Sequence, residues 1–91
     1  MTSRTTKAFR GCYRSIPGPV QSLANQTYKQ FVQDPFHPSL HFKQVHPTRP
    51  IWSVRIGIHY RAVGVKPYAD QIVWFWIGSH ADYDKLIANL P

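Results

Sequence analysis

The chain of 91 residues has no glutamate, one cysteine and no apolar run long enough to cross a bilayer. Each shortage narrows what the protein can be. Without glutamate, its four acidic side chains are all aspartates, and no carboxylate dyad for acid–base work stands out. A lone Cys12 excludes an internal disulfide framework and any cysteine-based zinc site, and it suits a reducing compartment. The stretch "MTSRTTKAFRGCYRSIP" lacks an apolar core of signal-peptide length, so a soluble cytoplasmic protein with no membrane segment is expected. His37, His46 and His59 fall in proline-rich loops or turns without ligand spacing, and His80-x-Asp82-x-Asp84 on a helix is not a zinc arrangement. No metal and no cofactor are expected.

What is abundant is positive charge. Eleven Lys and Arg against four Asp give +7, a balance that favours a polyanionic partner, either nucleic acid or an acidic protein. At this length one domain, residues 1–91, is expected, and most apolar side chains are needed for a single small core. Residues 5–16 place Ala8, Phe9, Cys12, Tyr13 and Ile16 at helical spacing, with Arg4, Lys7, Arg10 and Arg14 on the opposite arc. "SIPGP" breaks the chain. A second helix follows, with Val20, Leu23, Ala24, Thr27, Tyr28 and Phe31 as its stripe, ending at Asp34-Pro35. The period then alternates. Residues 40–45 read as a short strand with Leu40 and Phe42 facing one way and His41 and Lys43 the other. "IWSVRI", "YRAVGV" and "QIVWFWIG" continue as an antiparallel meander, the last apolar on both faces and so central, with Ile72, Trp74 and Trp76 opposed to Val73, Phe75 and Ile77. Residues 80–90 close the chain as a helix with Tyr83, Leu86, Ile87 and Leu90 on one face. The order predicts an α+β fold: an N-terminal helical hairpin on a roughly four-stranded antiparallel sheet, with a short C-terminal helix.

Two constellations stand out. If the turn is Gly57-Ile58-His59, Arg55 lies directly opposite Arg61, and like charges across a ladder repel. A phosphate between them would explain the pair, since guanidinium groups bind its oxygens bidentately; alternatively, both arginines fan apart on a solvated face. The second is "GSHADYD". Ser79 is the expected N-cap and Asp82 completes a Ser-x-x-Asp capping box, so His80 opens the helix, where the neutral imidazole is favoured and backbone N–H groups face outward. Such a histidine either serves as a general base or merely fills a first-turn position. Tyr83 has packing as its first role and a hydroxyl that can reach a cleft. Lys43 can add a cation beside the arginines. Trp52, Trp74 and Trp76 are either core or surfaces for stacking bases.

The series "DPFHPSLHFKQV", "WSVRIGIHYRAVG" and "VWFWIGSHADYDKLI" resembles the RelE/ParE superfamily of toxins from type II toxin-antitoxin systems, and in particular its RelE-, HigB- and YafQ-like mRNA interferase branch. That resemblance implies a microbial-ribonuclease-like fold, metal-independent cleavage of mRNA on the ribosome that inhibits translation, and a cognate antitoxin bound in a hetero-oligomer. It implies a catalytic set of His80, Arg61, Arg55, Lys43 and Tyr83. Lys7, Arg10, Arg14, His41 and His59 are candidate RNA contacts. The absence of glutamate departs from the YoeB-like pattern of a glutamate base. Two alternatives stay open: a ParE-like inhibitor of DNA gyrase, and a catalytically inactive RelE-like binding protein.

Overall fold

The structure, a computed structural model, describes residues 1–90. Its elements run β1 (Thr2–Thr5), α1 (Lys7–Ser15), α2 (Gly18–Gln33), a 3-10 turn (Pro38–Leu40), β2 (Lys43–Gln44), β3 (Ile51–Ile56), β4 (Tyr60–Val65), β5 (Gln71–Ser79) and α3 (His80–Ala88). The strands form one five-stranded sheet in the order β1-β5-β4-β3-β2. This is α+β, as expected, with α1 and α2 against one face and the apolar cluster between.

Local chemistry accounts for the helix boundaries. Thr6 caps α1, its hydroxyl accepting from the Phe9 N–H at 3.1 Å. Proline in the first turn of α2 sets its start, and Asp34, held in extended backbone ahead of Pro35, ends it. The two helices are stitched together where Gln21 Nε2 donates to the Tyr13 carbonyl at 2.9 Å and the Tyr13 hydroxyl to Asn25 Oδ1 at 3.1 Å. Their stripes are covered unequally. Phe31 is buried, whereas Leu23 and Tyr28 remain exposed. The helices diverge over the sheet and leave a groove of about 560 Å³, lined by Phe9, Tyr13, Ala24, Tyr28, Phe31 and Trp74 among others.

The meander forms in the expected register. Ile56 faces Tyr60 and Arg55 faces Arg61 across the β3–β4 hairpin, closed by the loop Gly57-Ile58-His59. Gly57 takes φ 59°, the left-handed conformation that such a loop requires, and a side chain there would meet Leu23 at 2.7 Å.

Four expectations need correction. The sheet has five strands and is mixed: Thr2–Thr5 pairs parallel to β5, from Thr2 opposite Gln71 to Thr5 opposite Trp74. "TSRT" has no apolar alternation, and backbone pairing with β5 recruits it, with Arg10 donating to Thr5 at its end. β5 is therefore an interior strand beside β1, and β4 is the middle one. The strand expected over residues 40–45 shrinks to Lys43–Gln44, because Pro38–Leu40 winds into a 3-10 turn and His41 takes φ 47°. Leu40 and Phe42 are still buried, as their alternation requires. The two faces of β5 are also not those of strict alternation. Val63 pairs with Trp76 but Gly64 with Trp74, so Phe75 is an inserted residue, a β-bulge. Beyond it the faces exchange: Ile77 joins Ile72 and Trp74 in the core, and Trp76 turns to the opposite face. The last helix stops at Ala88, leaving Leu90 beyond it.

The core explains the layering. Phe31 meets Phe42 edge-on at 5.0 Å and Trp74 at 5.4 Å, and Val54, Ile56, Ala62, Ile72 and Ile77 complete the cluster. From α1, Phe9, Cys12, Tyr13 and Ile16 pack on it. Every residue named belongs to the helix-facing side of the sheet, so the residues that alternate with them face the other way.

Candidate functional site

That other face carries Lys43, Arg55 and Arg61. Directly paired residues of an antiparallel ladder share a face. Lys43 pairs with Ser53, Arg55 with Arg61, and Arg61 with Gly78. Ser53 and Arg55 are two apart on β3, so Lys43, Ser53, Arg55, Arg61 and Gly78 line one side, opposite Phe42, Val54 and Ala62. Trp76 reaches the same side through the bulge. Its indole lies over Gly78, where a Cβ would come within 2.6 Å of the ring.

α3 closes one end of this face. Ser79 accepts from the Asp82 N–H at 3.2 Å, which begins the helix at His80 as the sequence predicts, while Ser79 itself stays in the ladder opposite Tyr60. The His80 N–H donates to the His59 carbonyl at 2.7 Å. The hairpin turn thereby fixes where the histidine begins. Its ring lies edge-on to Tyr83, 5.8 Å between centroids, and its Nδ1 is 3.2 Å from Asp84 Oδ2. The imidazole is about half exposed.

Tyr83 links the histidine to the sheet. The Arg61 guanidinium sits 5.9 Å from its ring centroid, Trp76 lies 6.5 Å away, and its hydroxyl makes a long 3.4 Å contact to the buried Ser53 Oγ. Arg55 and Arg61 turn to different partners. Arg55 Nε donates to the Gly57 carbonyl at 2.8 Å, and Arg61 Nη1 to the Tyr60 carbonyl at 3.1 Å. Each arginine is therefore turned to a carbonyl at its own end of the turn, with donors left over. His41, although outside any strand, brings Nε2 to 3.4 Å from Arg55 Nη1.

The predicted residues thus separate into two groups. Lys43, Arg55, Arg61, Tyr83 and His80 lie on or at the end of one sheet face, with His41 at Arg55 and the His59 backbone beneath His80. Lys7, Arg10 and Arg14 belong to α1, in the layer on the opposite face; Arg10 there donates to the carbonyl and the hydroxyl of Thr5. They are not part of this cluster. Sequence reasoning missed Ser53 and Asp84 and left Trp76 open between core and stacking surface. A polar residue inside "IWSVRI", two before Arg55, marks Ser53; Trp76 depends on a bulge that no spacing announces; the i, i+4 relation of His80 to Asp84 was available on the helix. Among the described residues no three His, Cys, Asp or Glu side chains gather as a metal site, and no helix is long and apolar enough to cross a membrane.

Chemically, such a face offers guanidinium donors for an anion, a phenol, and an imidazole at its rim. Known proteins provide the context. A chain of the RelB–RelE antitoxin–toxin complex from Methanococcus jannaschii is similar over 91% of this chain and 96% of its own, with a TM-score of 0.71 at 13% identity. The YoeB/ParE toxin from Agrobacterium tumefaciens follows at TM-score 0.66 and 15% identity, covering 88% of this chain and 99% of its own. The toxin-antitoxin complex RelBE2 from Mycobacterium tuberculosis gives 0.65 and 15%, over 87% and 96%. No curated protein sequence matches. These likenesses establish a shared fold, and the sequence itself goes further: the model of the ParE-like toxin domain matches residues 19–85. The chain belongs to the ParE-like toxin domain family, within the RelE/ParE superfamily of toxin-antitoxin toxins.

Proposed function

We propose that this toxin is an endoribonuclease, a metal-independent mRNA interferase that cleaves mRNA on the ribosome, inhibits translation in the cytoplasm and is silenced by a cognate antitoxin. One observation carries the reading: Arg55 directly opposite Arg61, on the face that Tyr83 and His80 border. Two cations held face to face are an electrostatic liability in the free protein, and a phosphate relieves it.

In the proposed reaction a base takes the proton of a ribose 2'-OH, whose oxygen attacks the adjacent phosphorus while the 5' oxygen leaves and is protonated. Arg55 and Arg61, with Lys43 in support, stabilise the charge growing on the phosphoryl oxygens. His80 acts as base or as leaving-group acid. One well-placed acid or base supplies about 10²–10⁴-fold, so alignment of the message by the ribosome supplies much of the rest. Free RNA is then a poor substrate.

Expression without antitoxin should arrest growth and leave mapped cuts in ribosome-bound mRNA, and His80→Ala and Arg61→Ala should each abolish both. Toxicity indifferent to both substitutions would remove this site from the reaction. Inhibited DNA supercoiling with intact mRNA would assign the protein to gyrase instead.

A further inference from the structure

Among the described residues Asp84 is the one carboxylate paired with a side chain of the candidate site, and nothing in the reaction just described uses it. Its position is specific. His80 and Asp84 are one helical turn apart, and the two meet at Nδ1 and Oδ2, 3.2 Å. The residue is already held at two other points: its backbone N–H is tied to the His59 carbonyl at 2.7 Å, and its ring lies edge-on to Tyr83. Asp84 supplies a third constraint, and the one that is chemically selective between the two ring nitrogens.

We infer that Asp84 is a positioning residue for His80, holding the proton on Nδ1 so that Nε2 presents its lone pair to the ribose hydroxyl. A carboxylate accepts only. A charged oxygen 3.2 Å from Nδ1 favours an N–H over a lone pair on that nitrogen, which leaves the other nitrogen as the base. When Nε2 takes a proton, the positive ring is formed next to a negative charge. The same contact thus selects the tautomer. Replacing Asp84 by asparagine keeps the shape but removes the charge, and an amide that can turn either its oxygen or its NH₂ to Nδ1 no longer selects one tautomer. The effect is limited by solvent. Asp84 is 64% exposed, so the expected loss is on the order of tenfold, far below the ~10⁴-fold seen when a buried triad carboxylate is made an amide.

This inference rests on the ribonuclease reading, and the experiment separates the two. Single-turnover cleavage of ribosome-bound mRNA is measured with the full chain, wild type and Asp84→Asn, Asp84→Glu, His80→Ala and His80→Ala/Asp84→Asn, with ribosome affinity read in parallel. Asp84→Asn should lower the cleavage step about tenfold with affinity and melting temperature unchanged, and Asp84→Glu should restore part of the rate. In the His80→Ala background Asp84→Asn should have no further effect, because Asp84 acts only through the imidazole. A loss that is additive in the two substitutions, or one that appears in affinity instead of rate, overturns the inference while leaving the ribonuclease reading intact; so does full activity of Asp84→Asn beside an inactive His80→Ala. Full activity of His80→Ala overturns His80 as the base, and this inference with it.

Discussion

Arg55 and Arg61 predict an unusual stability pattern. Directly opposed like charges cost roughly 0.2–1 kcal/mol relative to a neutral pair. Each arginine recovers part of this through its own hydrogen bond, from Arg55 to the Gly57 carbonyl and from Arg61 to the Tyr60 carbonyl. Such a bond contributes about 0.5–1.5 kcal/mol, toward the low end where water can replace the donor, as at these two half-buried positions. Replacing either arginine by methionine, which keeps most of the apolar stem against the sheet, loses one hydrogen bond and abolishes the whole repulsion. The net change should be near zero. Replacing the second loses another hydrogen bond with no repulsion left to relieve, so the double variant falls below the sum of the singles by the repulsion itself, about 0.2–1 kcal/mol.

Urea denaturation in phosphate-free buffer measures this cycle, and melting provides a second readout, where about 0.5 kcal/mol corresponds to roughly 2–4 °C in a chain of this size. Added salt should shrink the coupling, since a Debye length near 8 Å at physiological ionic strength shortens to about 3 Å at 1 M. Inorganic phosphate at fixed ionic strength should stabilise the wild type most and the double variant least, as binding to the native state alone requires. Cleavage should fall even where stability hardly changes, with Arg61→Met slower by about 10²–10³-fold, the range for removing one donor to a developing oxyanion. An attractive coupling between the arginines, or phosphate stabilising all four proteins equally, would refute the reasoning.

Other perturbations test the supports of the site. Ser79→Ala removes the hydroxyl that accepts from the Asp82 N–H, and should cost about 1 kcal/mol by urea denaturation; it should also slow cleavage, because His80 is the first residue the cap orients. Tyr83→Phe keeps the ring contacts to His80 and Arg61 and loses only the long contact to Ser53, so stability should change by less than about 1 kcal/mol; a large fall in the cleavage rate would show that the phenol itself takes part in the reaction. Phe31→Ala, at the edge-on junction with Phe42 and Trp74, should cost about 3–5 kcal/mol and leave much of the chain unfolded at 37 °C, measured by circular dichroism.

What was legible in the sequence is what local rules and pairing determine. Helix boundaries at Pro19, Asp34 and Ser79 are set by residues whose chemistry acts within one turn, and all three fall within a residue or two of the expected place. The register that opposes Arg55 and Arg61 follows from one left-handed glycine and a three-residue loop. β1 was not legible, because a polar strand at an edge is specified by its neighbour's free backbone groups and leaves no pattern in "TSRT". The length of β2 was misjudged for a related reason: alternating burial of Leu40 and Phe42 survives a 3-10 turn and a left-handed His41, so the pattern alone does not reveal a strand.

The bulge at Phe75 matters most for the site. A strictly alternating β5 would put Trp76 in the core with Trp74 and would turn Ile77 toward the arginines. It would also reverse the side on which Gly78 and Ser79 leave the strand. Inserting one residue after Trp74 exchanges these faces, so that Ile77 fills the core opposite Ala62, Gly78 sits flat beside Arg61, and Ser79 hands over to α3 at the turn that holds the His80 N–H. The first half of β5 therefore answers to the core and the second half to the site. A strand serving two different faces needs an irregularity between its halves, and period-two reasoning can only detect it by failing there. The position of His80 beside Tyr83 and Arg61 is thus a consequence of Phe75 as much as of the capping serine.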